Sequence, residues 1–279
     1  NNLTGFKNNI SDLLDYKNFE FVEEDICNQI NIDADIIFNL ACPASPPKYQ
    51  KHSIKTLDTC YLGVKNILDL AIKKNARVFH ASTSEIYGDP LEHPQKETYF
   101  GNTNSFGPRS CYDEGKRVSE SLIYEYINKF KLDIRIGRIF NTYGPYMDKQ
   151  DGRVISNFIN QALKGKDLTV YGDGNQTRSF CYISDLISII NLIANKKELI
   201  NTPLNIGNNS EFSVLDIANK VIEKIDTKSK IKYKKIPVND PKIRKPDLSS
   251  VNRIFGWKPS IQIDEGLDST IKYFKNNSC

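Results

Sequence analysis

The sequence predicts an α/β fold in which a doubly wound parallel sheet is followed by a smaller C-terminal region. Three observations lead to this prediction. Short apolar runs alternate with amphipathic stretches in the first half, the alternation ends near Asn141, and turn residues are frequent beyond it. Alternating strands and helices build parallel sheets that are covered by helices on both faces. With 279 residues, the chain is long enough for one domain or two closely packed ones.

The individual elements follow from local patterns. Short apolar and β-branched runs predict strands at residues 19–22, 35–40, 77–81 and 133–139. Apolar residues at helical spacing predict helices at residues 54–74 and 113–130. Beyond Asn141, pairs such as Gly144-Pro145 and Asp151-Gly152 separate shorter elements. We therefore assign residues 1–150, with parts of 175–210, to the sheet-bearing domain and residues 151–279 mainly to a substrate-binding region.

Composition excludes several classes of function. The net charge of +4 is modest, and no basic stripe interleaved with aromatics predicts a nucleic-acid partner. Lysines cluster only at residues 228–235, which we interpret as a solvated edge strand or turn. The apolar runs are too short to span a membrane. The three histidines, His52, His80 and His93, lack metal-ligand spacing, so we expect no metal site.

Cysteine usage bears on the compartment. The six cysteines form no C-x-x-C pair and are too sparse for a disulfide scaffold. This usage is typical of proteins in reducing compartments, and it favours a cytoplasmic location.

A tyrosine and a lysine lie four residues apart at the beginning of the second predicted helix. Tyr112 and Lys116 therefore share one helix face. A fixed ammonium lowers the pKa of a neighbouring phenol, and such a tyrosine can take a proton from a sugar hydroxyl while a hydride leaves the same carbon. The strand at residues 77–81 leads into Ser82, Thr83, Ser84 and Glu85, at the sheet edge where α/β folds bind ligands. Tyr-x-x-x-Lys alone is common in helices, but this context indicates a catalytic pair.

A strand that ends in hydroxyl groups and a helix that carries Tyr and Lys resemble the short-chain dehydrogenase/reductase superfamily. Within it, the chain resembles the UDP-glucuronate decarboxylase (UDP-xylose synthase) family. The segments that carry this resemblance are L-A-C-P-A-S-P-P-K-Y at 40–49, T-S-E-I-Y-G-D-P at 83–90, G-P-R-S-C-Y-D-E-G-K-R at 107–117, R-I-F-N-T-Y-G-P at 138–145, Y-G-D-G-N-Q-T-R at 171–178 and D-P-K-I-R-K-P-D at 240–247. The resemblance covers essentially the whole chain and implies a Rossmann-like fold.

The resemblance implies NAD-dependent decarboxylation of UDP-glucuronate to UDP-xylose through a 4-keto intermediate. Tyr112 would act as the base at the C4 hydroxyl, Lys116 would lower its pKa and hold the nicotinamide ribose, and Thr83 would bond the reacting hydroxyl. Glu85 would repel the sugar carboxylate or order a water that protonates C5, and Arg244 would face the sugar. The implied catalytic residues are Thr83, Glu85, Tyr112 and Lys116.

The resemblance also implies two binding sites. The NAD site would be formed by Thr4, Gly5, Asp25, Ile26, Leu40, Cys42, Thr59, Ala81, Tyr112, Lys116 and Thr142. The nucleotide-sugar site would be formed by Thr83, Glu85, Tyr112, Asn141, Arg153, Tyr171, Gln176, Arg178 and Arg244. The chain departs from the family pattern at Asp58-Thr59-Cys60, where the family usually has Lys-Thr-Asn, and at Cys42, where serine is common.

A Gly-rich turn between a first strand and a helix, which cradles the cofactor pyrophosphate, does not occur in the sequence. Residues 1–5 resemble the loop that follows the second strand of such a unit. We expect either a fragment of a longer product or a chain that is not a competent enzyme as written. Family members usually dimerise, and the resemblance implies a homodimer in which the helices at 54–74 and 113–130 form a four-helix bundle.

Several alternatives stay open. A decarboxylase that releases the UDP-4-keto-pentose would use the same first two steps. A nucleotide-sugar dehydratase would place Asp-Glu where this chain has Ser84-Glu85, and an epimerase has no use for Glu85 and Arg244 at a carboxylate. An inactive fragment or a dimerisation module is the alternative from a different class.

Overall fold

A four-stranded parallel sheet forms the centre of the computed structural model, which describes residues 1–200 and 202–277. Its strands are β1 (Ile36–Asn39), β2 (Arg77–Thr83), β3 (Ile134–Ile139) and β8 (Leu204–Ile206), in the order β1-β2-β3-β8. All three neighbouring pairs are parallel. The parallel sheet that the sequence predicts is therefore confirmed.

Helices cover both faces of this sheet. On one face, α3 (Val64–Lys74) and α4 (Ser110–Phe130) pack against β2 and β3 through an apolar core that contains Leu68, Val78, Ile123 and Ile134. On the other face, α6 (Ile183–Asn195) and α8 (Ser249–Phe255) close a second core around Phe79. The sheet is doubly wound, as predicted.

A third apolar core lies in the C-terminal half. It is formed by α5 (Val154–Leu163), β5 (Leu168–Tyr171), α7 (Val214–Ile225) and α9 (Ile263–Asn276), and Phe158, Leu168 and Val221 are among its fully buried residues. A capping box, in which Ser213 and Asp216 bond each other's backbone N–H, begins α7.

The remaining elements are short. Three two-stranded sheets pair β4 (Thr142–Tyr143) with β7 (Cys181–Tyr182), β6 (Thr177–Ser179) with β9 (Glu211–Ser213), and β5 with β10 (Ile231–Lys234). Helices α1 (Pro46–Lys51) and α2 (Ser53–Asp58) precede a π-helical turn at Thr59–Gly63, and 3-10 helices span Lys7–Leu13 and Ser84–Tyr87. None of the helices in the described residues is long and apolar enough to cross a membrane.

The structure corrects three element predictions. Residues 19–22 form no strand, since Phe21 and Val22 are exposed and no neighbouring strand pairs with them. The predicted helix at residues 54–74 is interrupted by the π-helical turn. The predicted helix at residues 113–130 begins earlier, at Ser110. The lysine-rich segment contains the strand β10, in agreement with one of its two interpretations.

The division of the chain into two regions stays a prediction. Two elements within residues 175–210, α6 and β8, belong to the sheet-bearing part. A later element, α8, also packs on the sheet, although its residues fall in the predicted substrate-binding region.

Candidate active site

A cavity of about 610 Å³ opens at the carboxyl ends of β2 and β3. Its other walls include the loop after β1, the beginning of α4, α5, α6, β5 and the segment between β10 and α8. In parallel sheets, ligands bind at this end of the strands. The predicted hydroxyl, phenol and ammonium groups of Thr83, Tyr112 and Lys116 all line the cavity at this end of the strands.

Tyr112, Thr83 and Lys116 meet at the base of this cavity, and all three are buried. A hydrogen bond links the Thr83 side chain to the phenol of Tyr112. The Nζ atom of Lys116 donates to the backbone oxygen of Ala81 at 2.8 Å and lies 5.9 Å from the centre of the Tyr112 ring. The ring of Tyr49 stacks on Tyr112 at a centroid distance of 4.9 Å and an interplanar angle of 3°. These contacts fix the orientation of the phenol.

The net pKa shift of Tyr112 in this structure is upward. Burial raises the pKa of Tyr112 well above 10, because it disfavours the charged phenolate. The negative charges that Cys42 and Glu85 carry when ionised raise it further, whereas the bond to Thr83 and the charge of Arg153 oppose the increase. Lys116 directs its ammonium to the Ala81 carbonyl, and its lowering of the Tyr112 pKa stays a prediction.

Glu85 lies two residues beyond Thr83 and is held by two arginines. Arg244 donates from Nη1 to Oε1 at 2.7 Å and from Nη2 to Oε2 at 2.9 Å, and Arg109 donates from Nη2 to Oε2 at 2.5 Å. Burial alone would raise the pKa of Glu85, but the charges of Arg244 and Arg109 lower it to about 2. The carboxylate is therefore ionised at neutral pH and fixed in position by bidentate bonds.

Asp240 connects Arg109 to Arg178. Its Oδ1 accepts from Arg109 at 3.3 Å, and its Oδ2 accepts from Arg178 at 3.1 Å. Arg178 also donates to the backbone oxygens of Thr177 and Lys242, at 2.8 and 3.1 Å. Arg178 thus directs most of its N–H groups to the segment between β10 and α8, which lines the cavity.

Sequence reasoning missed three residues of this cluster: Arg109, Asp113 and Tyr49. Arg109 lies within the G-P-R-S-C-Y segment, three residues before Tyr112, and its position beside a conspicuous motif was the available signal. Burial and the nearby charge of Glu85 raise the pKa of Asp113 to about 7, against the charge of Arg109, which lies 3.9 Å away. The hydroxyl of Tyr49 is buried without a hydrogen-bond partner among the described residues.

Most of the predicted site residues come together in this cavity. Those that line it are Leu40, Cys42, Ala81, Thr83, Glu85, Tyr112, Lys116, Asn141, Thr142, Arg153, Tyr171, Gln176, Arg178 and Arg244. Five predicted cofactor residues do not line it: Thr4, Gly5, Asp25, Ile26 and Thr59. Asp25 instead forms an ion pair with Lys55, at 2.6 Å. The functional assignments of all these residues stay predictions.

Two features fit the predicted ligands: Lys116 fits the nicotinamide ribose of the cofactor, and Asn141 fits the nucleotide sugar. The ammonium of Lys116 has three donors, and the described residues show one hydrogen bond from it. The Oδ1 atom of Asn141 is buried beside the cavity and has no partner among the described residues. Buried polar atoms are rarely left unpaired, so these groups suit a polar ligand. No group of His, Cys, Asp and Glu side chains in residues 1–200 and 202–277 could hold a metal ion.

Comparison with known sequences agrees with the family resemblance found in the sequence. The family model of GDP-mannose 4,6 dehydratase matches residues 2–270. The UDP-glucuronic acid decarboxylase 1 of Xenopus tropicalis is 45% identical over 275 residues, which are 99% of this chain and 65% of that protein. The UDP-glucuronic acid decarboxylase 3 of Arabidopsis thaliana is 47% identical over 96% of this chain and 78% of its own length. The chain thus spans just under two thirds of the length of the Xenopus tropicalis relative.

Solved structures share the fold. The UDP-glucuronic acid 4-epimerase of Bacillus cereus, solved in complex with UDP-glucuronic acid and NAD, is 26% identical with a TM-score of 0.88, over 97% of this chain and 86% of that one. A dTDP-glucose 4,6-dehydratase from Streptomyces venezuelae has a TM-score of 0.89 at 22% identity, over 99% of this chain and 85% of that one. With 47% identity to a relative of which it covers 78%, the chain belongs to the UDP-glucuronic acid decarboxylase family of the extended short-chain dehydrogenase/reductases.

Proposed function

We propose that this chain carries the catalytic machinery for the NAD-dependent decarboxylation of UDP-glucuronate to UDP-xylose. One observation carries the proposal: an ionised, partly buried Glu85, held by Arg109 and Arg244, lies in the same cavity as Thr83 and Tyr112. The names of the relatives, which are UDP-glucuronic acid decarboxylases, support the same reaction.

The first step is oxidation at C4 of the sugar. Bound NAD would supply the hydride chemistry at C4, and Lys116 would hold its nicotinamide ribose. Tyr112 takes the proton of the C4 hydroxyl, and Thr83 holds that hydroxyl in place. Since burial keeps the phenol of Tyr112 protonated in this structure, the bond from Thr83 and the charge of Arg153 are the protein groups that favour the phenolate.

The second step is loss of carbon dioxide. Oxidation at C4 makes the sugar a β-keto acid, because its carboxyl group is attached to the neighbouring C5. As the carbon–carbon bond breaks, the electron pair moves to the C4 oxygen, where Thr83 and Tyr112 donate hydrogen bonds to the developing charge. A carboxylate beside the ionised Glu85 is repelled, and its departure as neutral carbon dioxide relieves that repulsion.

The cycle closes when C5 gains a proton and C4 is reduced. Glu85 is ionised and is therefore an acceptor, so it can orient a water that delivers the C5 proton. Tyr112 then returns its proton to the C4 oxygen. Arg153 and Gln176 also line the cavity, and Tyr171, a lining residue that is 39% exposed, would stack on the base.

Epimerisation of the same nucleotide sugar at C4 is the second candidate. The structural likeness to a UDP-glucuronic acid 4-epimerase favours it. Both reactions begin with the same oxidation, but an epimerase must let the keto sugar turn over before the hydride returns. Product analysis distinguishes them, because only decarboxylation releases carbon dioxide.

We also propose a homodimer. Exposed apolar side chains in the segments predicted to form the bundle support an interface: Ile54, Leu57, Tyr61 and Val118. The cytoplasmic location stays a prediction.

The experiment that tests the proposed function is a product assay. The full chain is incubated with NAD and UDP-glucuronate, and carbon dioxide and nucleotide sugars are measured by trapping and by NMR. We expect carbon dioxide and UDP-xylose. Accumulation of UDP-4-keto-pentose with NADH would assign a decarboxylase that releases the intermediate, and formation of a C4 epimer would assign an epimerase. No binding of NAD and no product would contradict the proposal for this chain.

A further inference from the structure

Two cysteines lie side by side at the edge of the candidate active site. The Sγ atoms of Cys42 and Cys60 are 3.6 Å apart, although the residues are 18 positions apart in sequence. Cys42 belongs to the loop after β1 and lines the cavity, whereas Cys60 lies in the π-helical turn and is 2% exposed. Both stand at positions where the sequence departs from its family pattern. The mechanism proposed above uses neither thiol.

The surroundings of the pair connect it to the catalytic groups. Cys42 packs against a small apolar cluster that contains Tyr112. Cys60 faces α4 at Gly115, where an added Cβ would lie 3.1 Å from its Sγ, so the two segments are in close contact. Gly115 directly precedes Lys116, whose positive charge stabilises a thiolate in the pair. A hydrogen bond with Cys42 and this charge lower the pKa of Cys60 to about 7.

We propose that Cys42 and Cys60 are a reversible redox pair, which a peroxide oxidises to a disulfide beside the catalytic tyrosine. A disulfide needs its sulfur atoms about 2.05 Å apart, so the two must approach by roughly 1.5 Å. Transient disulfides of this kind in reducing compartments are usually catalytic or redox-sensing. The pair is therefore a modification site for a small oxidant that enters through the cavity.

The chemistry balances with hydrogen peroxide as the oxidant. The hydrogen bond with Cys60 and burial raise the pKa of the Cys42 thiol, so Cys42 first passes its proton to the Cys60 thiolate. The Cys42 thiolate, which lines the cavity, attacks one peroxide oxygen, an S–O bond forms, and the O–O bond breaks. The second oxygen leaves as hydroxide, which takes the proton from Cys60 to become water, and Cys60 is a thiolate again. The Cys60 thiolate then attacks the sulfur of this sulfenic acid. An S–S bond forms, the S–O bond breaks, and hydroxide takes up the proton that Cys60 lost and leaves as a second water. Two thiols are oxidised by two electrons, and one peroxide is reduced to two waters.

The bridge changes the cavity. Cys60 is held by its helical segment and by Ser119, whose Oγ donates to its backbone oxygen at 2.7 Å. The loop that carries Cys42 therefore moves more than the helical turn does. Because Cys42 contacts the cluster around Tyr112, this movement displaces a wall of the site, and a misplacement of about 1 Å can lower turnover about 100-fold.

The test has a chemical readout and a kinetic readout. The reduced full chain is treated with hydrogen peroxide, its free thiols are alkylated, and its peptides are analysed by mass spectrometry. We expect a peptide that links Cys42 to Cys60, its loss on addition of dithiothreitol, and its absence in Cys60→Ser. Cys111→Ser is the matched control, since Cys111 is a buried neighbour of the pair and its removal leaves the link intact.

The kinetic readout rests on the proposed function, whereas the link does not. We expect peroxide to lower decarboxylation of UDP-glucuronate at least ten-fold, dithiothreitol to restore it, and Cys60→Ser to resist peroxide. A link between Cys42 and Cys111, or a sulfinic acid at Cys42 without any link, would overturn the redox pair. If the link forms and turnover stays the same, the effect on the site is refuted. If the link forms in a chain that never decarboxylates UDP-glucuronate, the proposed function fails and the redox pair stands.

Discussion

Replacement of Glu85 by glutamine tests the charge cluster of the candidate site. Its two arginines lower the pKa of Glu85 from 4.5 to about 2, which corresponds to about 3 kcal/mol of folding free energy. The folded-state pKa lies below the unfolded one, so this contribution is complete above pH 4.5 and is lost as the pH falls through about 2. In Glu85→Gln, the charges of Arg109 and Arg244 lose the carboxylate that compensates them.

The assay is urea unfolding of the two proteins at pH 7 and at pH 3. Trp257 is the single tryptophan and is buried on the sheet, so its fluorescence reports the loss of the core. At pH 7 we expect Glu85→Gln to have a free energy of unfolding lower by about 3 kcal/mol. At pH 3 the difference should shrink by about 2 kcal/mol, because unfolded wild-type chains then bind a proton that the folded chains do not.

Glu125→Gln is the matched control, since Glu125 is an exposed carboxylate of α4, and it should leave stability within about 0.5 kcal/mol of wild type at both pH values. A free energy of unfolding of Glu85→Gln equal to that of wild type at pH 7 would contradict the stabilising role of the Glu85 carboxylate. A difference in free energy of unfolding that is the same at pH 7 and pH 3 would contradict its lowered pKa.

Three further predictions concern Arg244, Gly266 and Asp113. Arg244→Lys replaces a bidentate fork with a point charge, and isothermal titration should show affinity for UDP-glucuronate weakened about ten-fold; unchanged affinity would contradict a role at the sugar. Gly266→Ala places a Cβ 2.0 Å from the hydroxyl oxygen of buried Tyr143, and thermal unfolding should show a loss of about 2 kcal/mol; wild-type stability would show that the ring yields without cost. The pKa of Asp113 is raised to about 7, so its charge costs stability increasingly as the pH rises from 4 to 7. Asp113→Asn should therefore gain more stability at pH 8 than at pH 5, and an equal gain at both would argue against a raised pKa.

The sequence predicted the elements whose patterns are long or strongly apolar. The strands at 35–40, 77–81 and 133–139 and the helix at 113–130 agree with β1, β2, β3 and α4 to within a few residues. The strand at 19–22 was wrong, because an apolar run becomes a strand only where a neighbour pairs with it. The π-helical turn at Thr59–Gly63 has no signal in periodicity, since one widened turn hardly changes the spacing of apolar residues.

The candidate site was predictable where motifs lie at strand ends and not where contacts join distant segments. Arg109 meets Glu85, 24 residues away, and Arg244 meets it from 159 residues away. Sequence reasoning assigned Arg244 to the sugar and predicted neither of these contacts. The pKa of Tyr112 could not be inferred from its spacing to Lys116, because burial, which the sequence does not display, is the larger effect. The same holds for the 3.6 Å approach of Cys42 and Cys60.

The central claim is that the phenol of Tyr112 moves the C4 proton, and release of carbon dioxide by Tyr112→Phe tests it most directly. The variant keeps the ring that stacks on Tyr49 and loses only the hydroxyl, and Tyr124→Phe, at an exposed position of the same helix, is its control. With carboxyl-labelled UDP-glucuronate and NAD, we expect Tyr112→Phe to release label at least about 100-fold more slowly than wild type, while Tyr124→Phe matches it. Release of label by Tyr112→Phe at the wild-type rate would contradict the account.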